Sequence, residues 1–190
     1  KEQKLRRGTQ EKQFIYLHLQ GPHAPYVMNE RAEPVPSEKS GSTIQTKGSF
    51  HIVYEYLDQL KRLGLYKNST TVITGDHGSR RDDISPLESA IVTGLFVKPA
   101  GRAGEPLAFN SAPVSSDNLR PFIYEQAGLP YASLGKTYFE VPQNAENARY
   151  LYHRLKKTDK NPSRLLIYEI KGDANRFENW TLIEDRVIEY

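Results

Sequence analysis

Apolar residues recur along this chain with three different rhythms. Two short runs, Phe14-Ile15-Tyr16-Leu17-His18-Leu19 and Thr71-Val72-Ile73-Thr74, are almost continuously apolar or β-favouring, as strands buried on both faces of a parallel sheet require. A third strand is predicted from Ala90 to Lys98, closed by Pro99-Ala100-Gly101. Between the first two runs, Phe50, Val53, Tyr54, Leu57 and Leu60 recur at three- and four-residue steps, which predicts a helix capped by Ser49 and ended by Gly64. Strand, loop, helix and strand in that order make a crossover unit of a parallel sheet. Ser115 and Asp117 can cap a further helix over residues 118–127, stopped by Gly128 and Pro130.

The last third of the chain alternates differently. Runs at 165–170 and 180–190, on either side of a Gly172–Asn175 turn, predict antiparallel strands with Trp180 partly buried among them. The segment from Lys1 to Lys12 is polar and basic and reads as a tail. Residues 29–48 are rich in Glu, Pro, Ser, Thr and Lys without periodicity and read as a surface excursion. The expected fold class is therefore α/β: a mixed, mostly parallel sheet flanked by helices over 1–148, with an antiparallel subdomain of the same unit over 149–190 packed beside it.

Composition narrows the classes of function. A chain of 190 residues, 37% hydrophobic and 26% charged, is long enough for a real core and polar enough to be soluble. No apolar run approaches the roughly 18 residues of a membrane span, and no apolar stretch follows the basic amino end as in a signal peptide. The net charge is only +3, and the basic residues are spread among acids, so nucleic acid is not an expected partner. The absence of Cys removes disulfides, thiolate zinc sites and a cysteine nucleophile together.

The candidate chemistry gathers at strand ends. After Thr74 the chain turns through Gly75 and presents Asp76 and His77 before Gly78. That is the end of a strand at which open α/β sheets bind ligands. A carboxylate beside an imidazole suits zinc or manganese better than calcium alone, with magnesium or calcium still open. An Asp-x-Gly turn carrying an exposed His is the plainer alternative. Gly21, Pro22 and Pro25 likewise hold His23 in a rigid loop after the first run. His18, within that run, is expected as a hydrogen-bonded core histidine, and His51 as a half-exposed helix histidine.

In combination these pieces resemble a known family. A strand ending Gly-Pro-His-Ala-Pro-Tyr, a helix, the stretch Gly-Leu-Tyr-Lys-Asn-Ser-Thr-Thr-Val-Ile-Thr-Gly-Asp-His-Gly, a strand closing in Val97-Lys98-Pro99, and Pro113-Val114-Ser115-Ser116-Asp117 before a helix occur in this order. They resemble the carboxyl half of the alkaline-phosphatase-like superfamily, over residues 13–134. The nearest likeness is to sulfatases and to phosphoethanolamine and phosphoglycerol transferases, lipoteichoic acid synthase included. The resemblance implies that Asp76 and His77 are metal ligands and that His23 contacts the transferred sulfate or phosphate.

It also implies a metal-dependent hydrolase or transferase acting on sulfate or phosphate esters of a glycan, glycerol or lipid head group. Such an enzyme would stand on the cell-surface side of a bacterial membrane, in a parent protein that can be membrane-anchored. The rival expectation is a non-catalytic binding or structural module of the same shape. Three departures bear on the choice. Nothing before Phe14 resembles the family's amino-terminal half, which carries the nucleophile and the first metal ligands, so the nucleophile is unknown and this piece alone is expected to be inactive. No Cys or Ser stands in the sulfatase activation pattern. Relatives usually carry another His or Lys a few residues after Asp-His-Gly, whereas here Arg80 and Arg81 are the only cations available, and solvated loop arginines are expected rather than anion ligands.

Overall fold

A computed structural model describes residues 4–9, 12–78, 92–156, 158 and 162–188. Arg80, Arg81 and the first part of the run predicted from Ala90 lie outside the described residues. The chain divides into two compact units, one of Lys1–Thr71 with Lys98–Gly104, the other of Val72–Val97 with Glu105–Tyr190.

The first unit is built on helix α1, Ser42–Arg62, of 21 residues. It begins seven positions before the Ser49 start read from periodicity, because its first two turns are polar and carry no apolar stripe. What holds those turns is packing rather than propensity. A Cβ on Gly48 would lie 2.3 Å from the Asn29 carbonyl oxygen, so only glycine lets the 28–34 turn rest against the helix. Gln45, 4% exposed, reaches from the helix into the preceding loop. Its amide nitrogen donates to the carbonyls of Gly21 and His23, and its oxygen accepts from the Val27 N–H. The stripe that periodicity assigns to the core is only partly covered: Val53, Leu57 and Leu60 are half-buried, while Phe50 and Tyr54 are exposed.

The run at 14–19 does not form the predicted strand. Phe14 and Tyr16 are 72% and 74% exposed, and no strand is assigned there. An extended segment becomes a strand only when another backbone takes its N–H and C=O groups, and among the described residues none pairs with this one. The predicted crossover is accordingly not formed. His18 sits exposed, its Nδ1 3.3 Å from the Tyr16 hydroxyl, and is not the core histidine that an apolar run implied.

Strands β1, Thr71–Thr74, and β2, Leu95–Lys98, form a two-stranded sheet. Flanking hydrogen bonds join Gly75 to Thr93 at one end and Ala100 to Thr70 at the other, so the two strands run in opposite directions. The described pairings are thus antiparallel in both sheets, and the expected parallel sheet is not among them. Lys98 locks the base of this pair. Its ammonium donates to the carbonyls of Tyr66 (2.8 Å), Ser69 (2.6 Å) and Pro99 (3.2 Å), and lies 4.5 Å from the Tyr66 ring centroid.

The second unit holds the buried hydrophobic core residues: Phe122, Tyr138, Val141, Leu166, Ile167 and Ile170. Ser115 accepts from the Asp117 N–H, and Asn118 bonds back to the Ser115 N–H, a reciprocal cap that starts a short 3-10 turn running into α2, Leu119–Ala127. Gly128, at φ 73°, ends it as the sequence indicates. Phe122, fully buried, meets Tyr138 at 5.3 Å and Phe139 at 5.8 Å between ring centroids. Strands β3, Arg149–Leu155, β4, Arg164–Ile170, and β5, Trp180–Val187, form an antiparallel sheet in the order β3-β4-β5. Leu166, Ile167 and Ile170 of the central strand are buried. Trp180 is half-buried as expected, with its indole N–H on the Ala174 carbonyl at 3.0 Å.

Candidate functional site

Asp76 and His77 stand together where β1 ends, and the turn that carries them is fixed from below. The Gly75 N–H donates to Thr93 Oγ1 at 3.0 Å, and a Cβ on Gly75 would come within 2.5 Å of that oxygen. Glycine is therefore needed for close approach to Thr93, a residue that carries no signal in the sequence pattern. The Asp76 carboxylate accepts the His77 N–H at 3.0 Å through Oδ1 and keeps Oδ2 open, 3.8 Å from His77 Nε2. The Asp76 side chain is 81% exposed and that of His77 54%, so both face solvent rather than a closed pocket.

The histidine tautomer follows from its partner. His77 Nδ1 lies 2.7 Å from the Gly78 carbonyl oxygen, which can only accept, so Nδ1 carries the proton and Nε2, 3.8 Å from Asp76 Oδ2, keeps its lone pair. That is the arrangement of a metal-binding imidazole, whose second nitrogen is tied to a carbonyl. The residues present therefore fit as two donors to a divalent ion, one oxygen and one nitrogen. Among the described residues no group of three or more such side chains converges.

His23 belongs to the first unit, and Asp76 and His77 to the second. Its Nδ1 is 2.5 Å from the Ala24 carbonyl oxygen, which fixes the same tautomer, and its own carbonyl is held by Gln45. The ring is exposed. With Nδ1 donating, Nε2 is the acceptor nitrogen of this ring. Gln45 is the positioning residue that sequence reasoning missed, since a polar residue in a stretch without periodicity gives no sign of burial.

His51 is an ordinary helix histidine, 4.0 Å from Glu55 one turn on and stacked at 6.4 Å on Tyr54.

Two exposed loops, each with a histidine tied through Nδ1 to a carbonyl, suggest a chemistry without naming an enzyme. A comparison with protein-family models decides it, since the sulfatase model matches residues 2–129. The chain belongs to the sulfatase family. The match covers α1, the Asp76-His77 turn and α2, and stops short of the β3-β4-β5 sheet. No curated protein matches the chain. Membership of the sulfatase family supports the resemblance to alkaline-phosphatase-like enzymes that the ordered motifs carry. No described helix is long and apolar enough to cross a membrane.

Proposed function

We propose that this chain supplies part of the centre of a metal-dependent sulfatase-like hydrolase or phosphoryl-type transferase acting on sulfate or phosphate esters. The observation that carries it is the Asp76-His77 pair at the end of β1, with His77 Nε2 and Asp76 Oδ2 both open to solvent, in a member of the sulfatase family. A divalent ion, zinc or manganese by the donor types and magnesium or calcium by less, would be held by Asp76 and His77 and would supply Lewis-acid polarisation of the ester oxygen. Catalytic zinc takes three protein donors or more, so this reading requires at least one further donor beside these two.

The chain's own residues have separable tasks. Thr93 and Gly75 hold the metal turn, Gln45 holds the His23 loop, and His23, once protonated at Nε2, donates to an anionic oxygen of the ester. The nucleophile is assigned to no residue here. The fitting substrates are sulfated or phosphorylated glycans, glycerol or lipid head groups, met on the outer side of a bacterial membrane by a parent anchored there. The rival, a binding module of the same shape without turnover, is separated by the same test.

Chromogenic sulfate and phosphate esters, assayed with added zinc, manganese, magnesium and calcium, should show no turnover by the 190-residue chain alone. The parent protein should turn them over, and Asp76→Ala or His77→Ala in it should lower kcat by at least about a thousandfold. Turnover by the chain alone that vanishes in Asp76→Ala would place the whole centre here. A parent protein indifferent to both substitutions would leave the binding module as the better reading.

A further inference from the structure

The formal charge of +3 conceals an uneven distribution. The unit of Lys1–Thr71 with Lys98–Gly104 holds thirteen Lys and Arg against seven Asp and Glu, a surplus of six, while the remainder of the chain holds thirteen against sixteen. Within the first unit the surplus is concentrated again. Between residues 30 and 47, Arg31, Lys39 and Lys47 are matched in number by Glu30, Glu33 and Glu38. Lys98 is enclosed by backbone carbonyls. The other five surplus charges belong to residues 1–12, to the C-terminal end of α1 with the turn after it, and to Arg102.

Two hydrogen bonds gather these groups at one end of the unit. The Leu5 N–H donates to Gln59 Oε1 at 2.9 Å, so Lys4, Arg6 and Arg7 run past the end of α1 that carries Lys61 and Arg62. The Gly101 N–H donates to the Lys67 carbonyl at 2.8 Å, which sets Arg102 beside that turn. Lys4, Arg6, Arg7, Lys61, Arg62 and Lys67 are all exposed. The acids that oppose them are Glu2 and Glu11 in the sequence of the tail, and Glu55 and Asp58 on α1, the last paired with Arg62 at 3.0 Å. All four are included in the surplus of five.

The apolar run follows directly. Phe14, Ile15, Tyr16 and Leu17 are each more than half exposed, on both faces of the extended segment. The chain is tied to α1 again at the Gly21 carbonyl, which accepts from Gln45. Residues 14–19 therefore lie between attachments at Gln59 and Gln45, next to the basic end. A cationic cluster alone attracts any polyanion. Ile15 and Leu17 have no π face to stack on a base, but they gain by leaving water for acyl chains.

We propose that the basic end of this unit and residues 14–17 together make a peripheral contact with a lipid surface that carries negative charge. The cations sit over the head groups, and Phe14 and Tyr16 enter the interface, where amphipathic and aromatic side chains are favoured. Each Lys or Arg held near such a surface strengthens binding by about fivefold. The contact needs neither a metal nor turnover, so it stands apart from the reading of Asp76 and His77.

Co-sedimentation of the full 190-residue chain with vesicles of phosphatidylcholine, alone or mixed with phosphatidylglycerol, tests it. Partitioning into the anionic vesicles should be at least about tenfold stronger at low salt, and should fall as ionic strength rises. Arg6→Gln with Arg7→Gln should weaken it by about tenfold or more, and Lys39→Gln with Lys47→Gln should leave it unchanged. Phe14→Ser with Tyr16→Ser should weaken it several-fold without altering the dependence on salt. Far-ultraviolet circular dichroism, to which the 21-residue α1 contributes most of the helical signal, checks that each variant is folded. Equal partitioning into both kinds of vesicle, or binding by the Arg6 and Arg7 variant as strong as the wild type's, would overturn the proposal. A DNA duplex that binds the wild type and the Phe14 and Tyr16 variant alike, and more tightly than the vesicles, would assign the basic end to nucleic acid and overturn it equally.

Discussion

The α2 and aromatic cluster of the second unit and the turn that carries Asp76 and His77 belong to the same polypeptide, yet they are built on opposite principles. In the first, Phe122, Tyr138 and Val141 are buried, and the rings of Phe122 and Tyr138 pack against each other. In the second, the Asp76 and His77 side chains face solvent and the backbone beneath them is fixed through Gly75 and Thr93. Stability is concentrated where there is no candidate chemistry, and candidate chemistry stands where side chains contribute little to stability. Loops that carry function on a scaffold held by packing follow this division generally.

Substitutions should expose the contrast. Phe122→Ala removes a fully buried ring and should cost about 3–5 kcal/mol, read as a fall in the urea midpoint. A cost below about 1 kcal/mol would mean that the cluster is not the core it resembles. Gln45→Ala strips three backbone groups of their partner at once and should cost about 2–3 kcal/mol, with the largest changes in amide exchange at Val27. Asp76→Ala and His77→Ala should change stability by no more than about 0.5 kcal/mol, because both side chains are largely exposed. Equal losses in the site and core variants would dissolve the distinction.

A smaller effect separates the two kinds of region by pH. Burial pushes the Lys98 ammonium below the ordinary lysine value of 10.5. In the window just under that value the unfolded chain holds a proton that the folded chain has begun to lose. Stability contributed by this group therefore rises as pH climbs through the window. Denaturant midpoints measured across that window for the wild type and for Lys98→Met should differ by a positive slope in the wild type. A difference of the opposite sign would show that Lys98 gains more from its carbonyl partners when charged than it loses by burial.

What the sequence made legible follows the same line. Local signals were sufficient for α2, whose Ser115 cap and Gly128 stop are chemical and short-range, and for β4 and β5, whose alternation survives as an antiparallel pair. The Asp76-His77 turn was equally readable, since Gly, Asp, His and Gly follow a β-favouring run. The failures all concern partners distant in sequence. Residues 14–19 have strand composition, but composition does not supply the neighbouring backbone that makes a strand. The first turns of α1 are polar and were hidden, because Gln45 and Gly48 owe their burial to the 21–29 loop rather than to any apolar stripe. Thr93 and Lys98 act through single hydrogen-bonding atoms, a kind of contact that leaves no periodicity.

The bond between Gly75 and Thr93 has one more consequence. It closes, at its base, the connection that leaves β1 through Asp76 and returns to β2. Once a loop is cinched at its root, lengthening it costs only the logarithm of its size, about 0.6 kcal/mol for each doubling. The closure that holds the Asp76 carboxylate and the His77 imidazole is thus largely independent of how long the connection between the two strands is.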